Sequence, residues 1–588
     1  MSERPDERAH LPSVGLVLGL VSGLIEGGLH LLRQRLDILD NSWYSIIWIA
    51  AVFNGLLVGA AGVLAGVVVA RRPATRRLYV GMAFSLWFLA LVPVLALMLE
   101  EWLFRYAILL LTLGASTAGT RWYFSHEAWA RRAIRPAVGV ALAASLLAFA
   151  GIEGGTAIHE RVATSRLPPA TASAPNVLLI IVDTLRSDHL SSYGYGRRTS
   201  PAIDTLAAQG VLFENSFSTS SYTLPSHESI LTGRYPRDHQ VEWDTDYRRP
   251  EHPVPILPQV LQSYGYRTGA FSANTLFFTR EHGFGRGYLH FEDFFHSLAD
   301  MAGRTAYGTI GKLAGLRLGF QNLPPRKLAT DVTSAADRWI SRDTDRPFFV
   351  TMNFMDVHDP YLPPEPYLSL FATAPRPKAL VDFRRLERPL TAAQLQGEVD
   401  AYDGAIAYVD AQISRLLSLI QARSLTRELL VVVTSDHGEE FGEHGGFNHA
   451  KHLYREVIQV PLVLWQPGRV PAGTRVNQPV SNAAIAATVL TLLDADPAPF
   501  VVPSLQPLWE GTRSDFAPPV AALKRSPRRG RINQGSMRSV VDGAWHYIEQ
   551  DGRGFELFDW IADPRERTDL ATTPPAPAIS HRLRTHLK

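Results

Sequence analysis

Apolar positions fall into two textures along this chain. Through the first 160 residues they form long runs: Val14–Leu32, Tyr44–Ala70, Leu78–Leu99, Tyr106–Phe124 and Ala137–Ile158. Each approaches the roughly 20 residues that a helix needs to cross a bilayer. The fourth carries Arg105 and Arg121 near its ends, so five spans are expected, with four as the alternative. The stretch 164–175, TSRLPPATASAP, has the Pro/Ala/Ser/Thr composition of a linker. Beyond it, short β-branched runs alternate with helical patterns. Asn176–Val182, Phe348–Phe354 and Leu429–Thr434 read as buried strands, joined by Arg267–Ala273 and Val460–Trp465. Helices are expected from Pro201, with Ser200 as N-cap and Gly210 as stop, and over Pro258–Gly265, about Ala393–Gln421 and Ala483–Leu493. Such alternation predicts an α/β/α sandwich with a largely parallel central sheet, whose ligands bind beyond the carboxyl ends of the strands.

Charge orients the first part. Arg4 and Arg8, then Arg71, Arg72, Arg76 and Arg77, then Arg131, Arg132 and Arg135 fall on one side of the predicted spans. The other side has only Arg33 and Arg35, then Arg105 beside Glu100 and Glu101. The basic side is the cytoplasmic one, so an odd number of spans places everything after residue 160 outside the cytoplasm. The four further spans, and no clean small-residue cleavage site, set the first run apart from a cleavable signal peptide. Glu26 lies mid-span, where an acid either serves a function or bonds a polar neighbour such as Asn54.

Composition then excludes several classes. The net charge of +2 over 588 residues shows no basic excess for nucleic acid. The absence of cysteine removes disulfides, thiolate zinc sites and a Cys nucleophile.

The strand ends carry the chemistry. Asp183 follows the first buried strand, Asp436 and His437 follow Leu429–Thr434, and His358 and Asp359 follow Phe348–Phe354. Carboxylates and imidazoles delivered to one sheet edge suit a divalent metal, zinc or manganese before calcium, which prefers oxygen alone. In Ser220–Gly233 (SSYTLPSHESILTG), Pro225 fits a helix entry and puts Thr223 at the helix N-terminus. Free N–H groups there favour an anion, and a hydroxyl on a cation can act as a nucleophile. The clustered His444, His449 and His452 suffice for a second metal, or serve as substrate contacts.

Together these residues resemble the sulfatase family of the alkaline phosphatase superfamily. The resemblance runs through Asn176–Asp183-Thr-Leu-Arg186-Ser-Asp188, Tyr193-Gly194-Tyr195 and Thr199-Ser200-Pro201, then Thr223-Leu-Pro225-Ser226-His227 to Leu231-Thr232-Gly233. It continues through Thr434-Ser435-Asp436-His437-Gly438-Glu439, His449–Tyr454, Val460-Pro461-Leu462 and Leu557-Phe558-Asp559 with Asp563-Pro564-Arg565-Glu566. It implies a catalytic domain over 176–497 and a small C-terminal α+β subdomain over 498–588, after a membrane domain (1–160) and a linker (161–175). It also implies that Asp183, Thr223, Asp436 and His437 form the metal shell, that Thr223 is the nucleophile, and that His358 contacts the anion or protonates the leaving group. For the family's second cation, its lysine falls on Ala450; His449 is favoured and Lys451 is the runner-up.

Three departures matter. Sulfatases make formylglycine from Cys or Ser where this chain has Thr223, so no formylglycine is expected. Their arginine is His227 here, and the second acid of their Asp-Asp pair is Thr184. A threonine ester of sulfate lacks the elimination route of an aldehyde hydrate, whereas a phosphothreonine is an ordinary intermediate. The expectation is a membrane-anchored, metal-dependent hydrolase or transferase of phosphate or sulfate esters, phosphoester favoured, with its catalytic domain on the extracytoplasmic face of the cell membrane. Lipid- and glycan-linked substrates are both open. The alternatives are a sulfatase working without formylglycine and an inactive binding or scaffold protein. The segment from about Ser297 to Arg326 is a candidate lid.

Overall fold

The apolar runs fold as five helices, α1 (Leu11–Arg35), α2 (Ile46–Arg71), α3 (Arg76–Leu99), α4 (Arg105–Ser125) and α5 (Glu127–Ser165), in a computed structural model of the chain. It describes residues 10–587 apart from 36–43, 72–75, 101, 242–253, 281, 294–302, 304, 319–326, 343–344, 374–389, 424–426, 525–534 and 575. Arg4, Arg8 and Arg72 lie outside the described residues. Two compact units emerge, one of Met1–Val162 with Phe294–Arg326, the other of Ala163–Asp293 with Lys327–Lys588.

In the first unit α1, α2, α3 and α5 are long and apolar enough to cross a membrane. Helix α4 has 21 residues but carries Arg105 and Arg121, and by length and composition it does not join them. The count on these criteria is therefore four, the alternative that the sequence left open. Helix α5 runs through Ser165, taking up the start of the expected linker. Helices α1 and α2 pack through a ridge of small residues. A Cβ added at Gly15, Gly19 or Gly23 would come within 2.4, 2.3 and 2.1 Å of the carbonyl oxygens of Val58, Asn54 and Ala50. Glycine every fourth residue lets two apolar helices approach backbone to backbone.

The second unit is built on a sheet of β1 (Asn176–Val182), β2 (Val211–Phe217), β3 (Arg267–Ser272), β4 (His290–Glu292), β5 (Phe348–Phe354), β6 (Leu429–Thr434), β7 (Gln459–Trp465), β8 (Thr474–Val476) and β9 (Val480–Ser481). The order is β8-β2-β7-β6-β1-β5-β3-β4, with β9 also on β2. All pairs are parallel except those of β7, which runs antiparallel to β2 and β6. Helices α6 (Pro201–Ala208), α7 (Thr223–Thr232), α8 (Leu257–Ser263), α10 (Ala329–Ile340), α11 (Ala392–Ala422) and α12 (Ile485–Leu492) belong to this unit; the intervening α9 (Ala306–Arg317) belongs to the first. Alternate residues of β1 serve opposite cores: Val177, Leu179 and Ile181 pack with Ile230, Leu257 and Leu490, while Leu178, Ile180 and Val182 pack with Trp339, Ile406 and Ile413. A strand buried on both faces gives a continuous apolar run, which is why β1 and β6 were legible. A second, antiparallel sheet over Val520–Leu523, Met537–Asp542, Trp545–Gln550 and Gly554–Asp559, with a helix at Ala576–Arg584, closes the chain.

Register sets the site. Val182 pairs with Phe354, and Ile181 with both Asn353 and Thr434, so the residues that follow β1, β5 and β6 leave the sheet at one edge. Helix α6 begins at Pro201 as expected, yet the Ser200 hydroxyl does not cap it; that oxygen lies 3.0 Å from Asp204. The cap comes from Asp410 on α11, whose carboxylate accepts the N–H groups of Ala202 and Ile203, each at 2.9 Å. Asp410→Ala leaves the buried Ile203 N–H and the half-buried Ala202 N–H without an acceptor and is expected to lower stability by about 1–3 kcal/mol. Thermal unfolding of the purified protein measures it, with divalent-metal uptake unchanged.

Candidate metal centre at the sheet edge

Asp183, Asp436 and His437 are fully buried, with ligand atoms all within 4.8 Å of one another. Asp183 Oδ2 accepts from Asn274 Nδ2 at 2.9 Å, and Asp436 Oδ1 accepts from the backbone N–H of His437 at 2.9 Å and of Thr184 at 3.2 Å. The remaining oxygens, Asp183 Oδ1 and Asp436 Oδ2, have no hydrogen-bond partner. His437 Nδ1–H donates to the Gly438 carbonyl at 2.9 Å. That fixes the tautomer with its lone pair on Nε2, where the Thr223 hydroxyl donates at 3.2 Å. Two orphaned anionic oxygens, an imidazole lone pair and a hydroxyl fit one divalent cation, and the mixed donors suit zinc or manganese.

The electrostatics agree. Burial, then the Asp436 charge, pushes Asp183 up to about 6. Burial pushes Asp436 up to about 7. Burial lowers His437, so its ring is neutral at neutral pH. Two adjacent desolvated carboxylates resist ionising together unless a cation joins them.

Helix α7 supplies Thr223 as its first residue, with Tyr222 as N-cap. Pro225 thus falls two residues inside the helix rather than at its entry, which the unbonded N–H positions of the first turn tolerate. All ten residues of α7 are buried. Ser226 Oγ donates to the Asp436 carbonyl at 2.5 Å, tying this helix to the loop after β6. Beneath Thr223, His227 Nδ1–H donates to the Thr223 carbonyl at 3.0 Å, and its Nε2 accepts from Asn353 Nδ2 at 3.3 Å. Burial pushes His227 down to about 3, so a neutral ring stands here. Thr184, just past β1, has φ of 58°. A β-branched residue there is strained by about 1–3 kcal/mol. It is held by Asp436, by its own hydroxyl donating to the Val357 carbonyl at 3.0 Å, and by Tyr402 Oη donating to its carbonyl at 2.8 Å.

The remaining candidates separate. The His449 ring lies 4.4 Å from that of His437 and 5.0 Å from that of His358, and its Nδ1–H donates to buried Glu439 Oε1 at 2.9 Å. Burial lowers His358, but Asp183, then Glu439 and Asp359, outweigh it and raise the ring above its usual value. Lys451 instead donates to the Phe447 carbonyl at 2.6 Å. It lines a cavity of about 490 Å³ with His452, Tyr454 and Glu556, whose walls include none of the three metal candidates. His444 and His452 pair with Glu456 and Glu440 respectively, and among the described residues Asp183, Asp436 and His437 form the one such cluster. Sequence reasoning missed Asn274, Asn353 and Glu439. Glu439 stood in the quoted Asp436–Glu439 segment, whereas the two asparagines gave no local signal.

A model of the family described as sulfatase matches residues 175–495. The chain belongs to the sulfatase family. It is 27% identical over 342 residues to the iduronate 2-sulfatase of Homo sapiens, covering 51% of this chain and 61% of that protein. It is 22% identical over 458 residues to the choline-sulfatase of Rhizobium meliloti, covering 69% and 84%. Among solved structures, the phosphonate monoester hydrolase of Agrobacterium radiobacter superposes with a TM-score of 0.55 at 21% identity, covering 70% of this chain and 94% of that one. The family's fold, a mixed but mainly parallel α/β sheet of the alkaline phosphatase superfamily, is the one observed here.

His239 tests how α7 is held. Its Nε2–H donates to Ser229 Oγ at 3.0 Å and its Nδ1 accepts from the Val241 N–H at 3.1 Å, and burial pushes it down to about 3. A folded pKa below the unfolded value gives stability that is complete above about pH 6.5 and lost as pH falls towards about 3. The melting temperature is expected to drop between about pH 6.5 and pH 4, and to drop less in His239→Gln. Differential scanning calorimetry across that range reads the slope.

Proposed function

We propose that this chain is a membrane-anchored, metal-dependent ester hydrolase with Thr223 as nucleophile, acting outside the cytoplasm on phosphate or sulfate esters, with phosphoesters favoured. The observation that carries the reading is the placing of the Thr223 hydroxyl on His437 Nε2, beside two carboxylate oxygens that nothing else satisfies. Asp183, Asp436, His437 and Thr223 would hold the cation. Bound there, it would supply the charge that favours the Thr223 alkoxide and the anionic ester oxygens.

The residues themselves divide the remaining work. Thr223 loses its proton to solvent, and its Oγ forms a bond to phosphorus while the bond from phosphorus to the leaving oxygen breaks. His358, which despite burial is raised above its usual value by Asp183, Glu439 and Asp359, gives its proton to that oxygen, and then, neutral, accepts one from the water that releases the phosphothreonine. An acceptor hydroxyl in place of water makes the same sequence a transfer. His449, held by Glu439, faces the same edge and serves as the second anion contact. Phosphoryl transfer needs only positioning and charge, which these groups supply. Sulfate is the second reading, favoured by relatives named for sulfate esters. Thr223 offers no aldehyde, so sulfate would have to leave by direct attack.

The Lys/Arg bias of the short loops supports a cytoplasmic N-terminus, and an exported catalytic unit requires α4 to cross besides the four helices that are long and apolar enough to do so. Thr223→Ala is expected to lower kcat by at least about a thousandfold, Thr223→Ser to retain part of it, and intact-mass analysis to show one phosphoryl adduct in the wild type only. Matched aryl phosphate and aryl sulfate esters decide the preference. Unchanged turnover in Thr223→Ala defeats the mechanism, and no metal uptake with no turnover favours the scaffold. His358→Ala is expected to cost about 10²–10⁴-fold on esters with poor leaving groups and far less on activated ones, in a leaving-group series.

A further inference from the structure

The segment that sequence marked as a lid does not belong to the catalytic unit. The chain leaves that unit after Asp293, and Phe294–Arg326 is part of the unit formed by the long apolar helices. Its helix α9 begins at Ala306, whose backbone N–H donates to Glu26 Oε1 at 2.6 Å. The other oxygen of Glu26, which is fully buried, accepts from Asn54 Nδ2 at 2.5 Å. The next residue, Tyr307, donates its hydroxyl to the Leu89 carbonyl on α3.

Both anchors lie at mid-span. Glu26 is nine residues from the end of α1, and Leu89 ten residues from the end of α3, which is about 14–15 Å of helix. Half the hydrocarbon thickness is about 15 Å. The 12 residues of α9 rise about 18 Å, the length of a half-span that starts at the midplane and ends at the surface. Two large apolar side chains point outward from it, Ile310 and Leu313, 51% and 50% exposed, as Leu64 and Leu146 are on α2 and α5; Thr309 is exposed beside them. Large apolar residues of this kind belong against acyl chains.

The excursion is rooted at the edge that carries the site. It departs from β4, which runs parallel to β3, and β3 ends beside Asn274, the partner of Asp183. At its return Lys327 forms a buried 2.8 Å ion pair with Glu292, closing the two ends on each other. Attachment alone does not call for it, since the apolar spans already supply that.

We propose that α9 is a re-entrant half-helix seated in the bilayer, its first turn capped by Thr305 at the Gly308 N–H and by Glu26 at the Ala306 N–H, and that the ester taken by the catalytic unit is carried on a lipid. The substrate assignment rests on the hydrolase reading above; the bilayer seat does not. The test uses full-length protein in vesicles, and the cysteine-free sequence makes single labels clean. A membrane-impermeant maleimide is expected to modify Ile561→Cys, 62% exposed in the catalytic unit, at least about tenfold faster than Leu313→Cys, because acyl chains exclude the charged reagent. Glu26→Leu is expected to expose Leu313→Cys, and Glu26→Gln, which keeps an acceptor oxygen, to leave it protected. An aryl phosphodiester on diacylglycerol is then compared with the same diester on glycerol. The lipid ester is expected to show at least about tenfold higher kcat/KM, an advantage lost in Glu26→Leu while turnover of the glycerol ester is unchanged. Equal labelling rates overturn the bilayer seat. Equal kcat/KM, or an equal loss on both esters in Glu26→Leu, overturns the lipid assignment. Protected Leu313→Cys with no turnover of either ester defeats the hydrolase reading and the substrate assignment with it, and leaves the seat standing.

Discussion

Asp183 and Asp436 place two carboxylate oxygens side by side in a buried cleft and give neither a donor, and the catalytic unit is organised around that repulsion. In a low-dielectric interior burial disfavours the ionisation of both and pushes both towards neutral pH, and the Asp436 charge adds to it at Asp183. The neighbours relieve it only in part. Asn274, Thr184 and His437 satisfy the other oxygens, holding each carboxylate in one orientation, and His437 is turned by Gly438 so that a lone pair completes the set.

The same constraint accounts for the backbone around it. Thr184 is held in a left-handed conformation because its N–H must reach Asp436 while its carbonyl meets Tyr402. Asn448 and Ala450 also adopt positive φ, on the turn that brings the His449 ring to 4.4 Å from that of His437. Strain of this size persists only where surrounding bonds over-determine the conformation. Helix α7 is the counterpart without strain: its buried polar residues are paired by Ser218, Thr219 and His239, so Thr223 has little freedom to move. His227 fits this scheme as a neutral ring, adding a hydrogen bond but no third charge to a site already crowded with charge.

How much of this was legible followed from how local each determinant is. Strands buried on both faces announce themselves as apolar runs, so β1, β5 and β6 could be read, and with them the emergence of Asp183, His358, Asp436 and His437 at one edge. Strand β2, VLFENSF, breaks its run with polar residues and was not read. Ser200 stood where a cap belongs, but the cap came from Asp410, more than 200 residues away. Asn274 and Asn353 reach the site through strand register, which no short window contains. The stripe Gly15, Gly19, Gly23 and Gly27 was there to be read; its period of four marks the α1–α2 contact.

Glu26 shows the limit most sharply. Its polar neighbour Asn54 could be named because both sit in adjacent long apolar runs. Its second partner, the N–H of Ala306, is 280 residues further on, inside a segment whose sequence suggested a cover for the catalytic cleft. A carboxylate among apolar helices costs free energy unless its oxygens are satisfied, and a helix start in the same surroundings costs free energy unless its first N–H groups are. Each deficit is small in its own stretch of sequence and neither points to the other. Joined, they account for an acid in the middle of a span and for an excursion of the catalytic chain that begins and ends beside its own active edge.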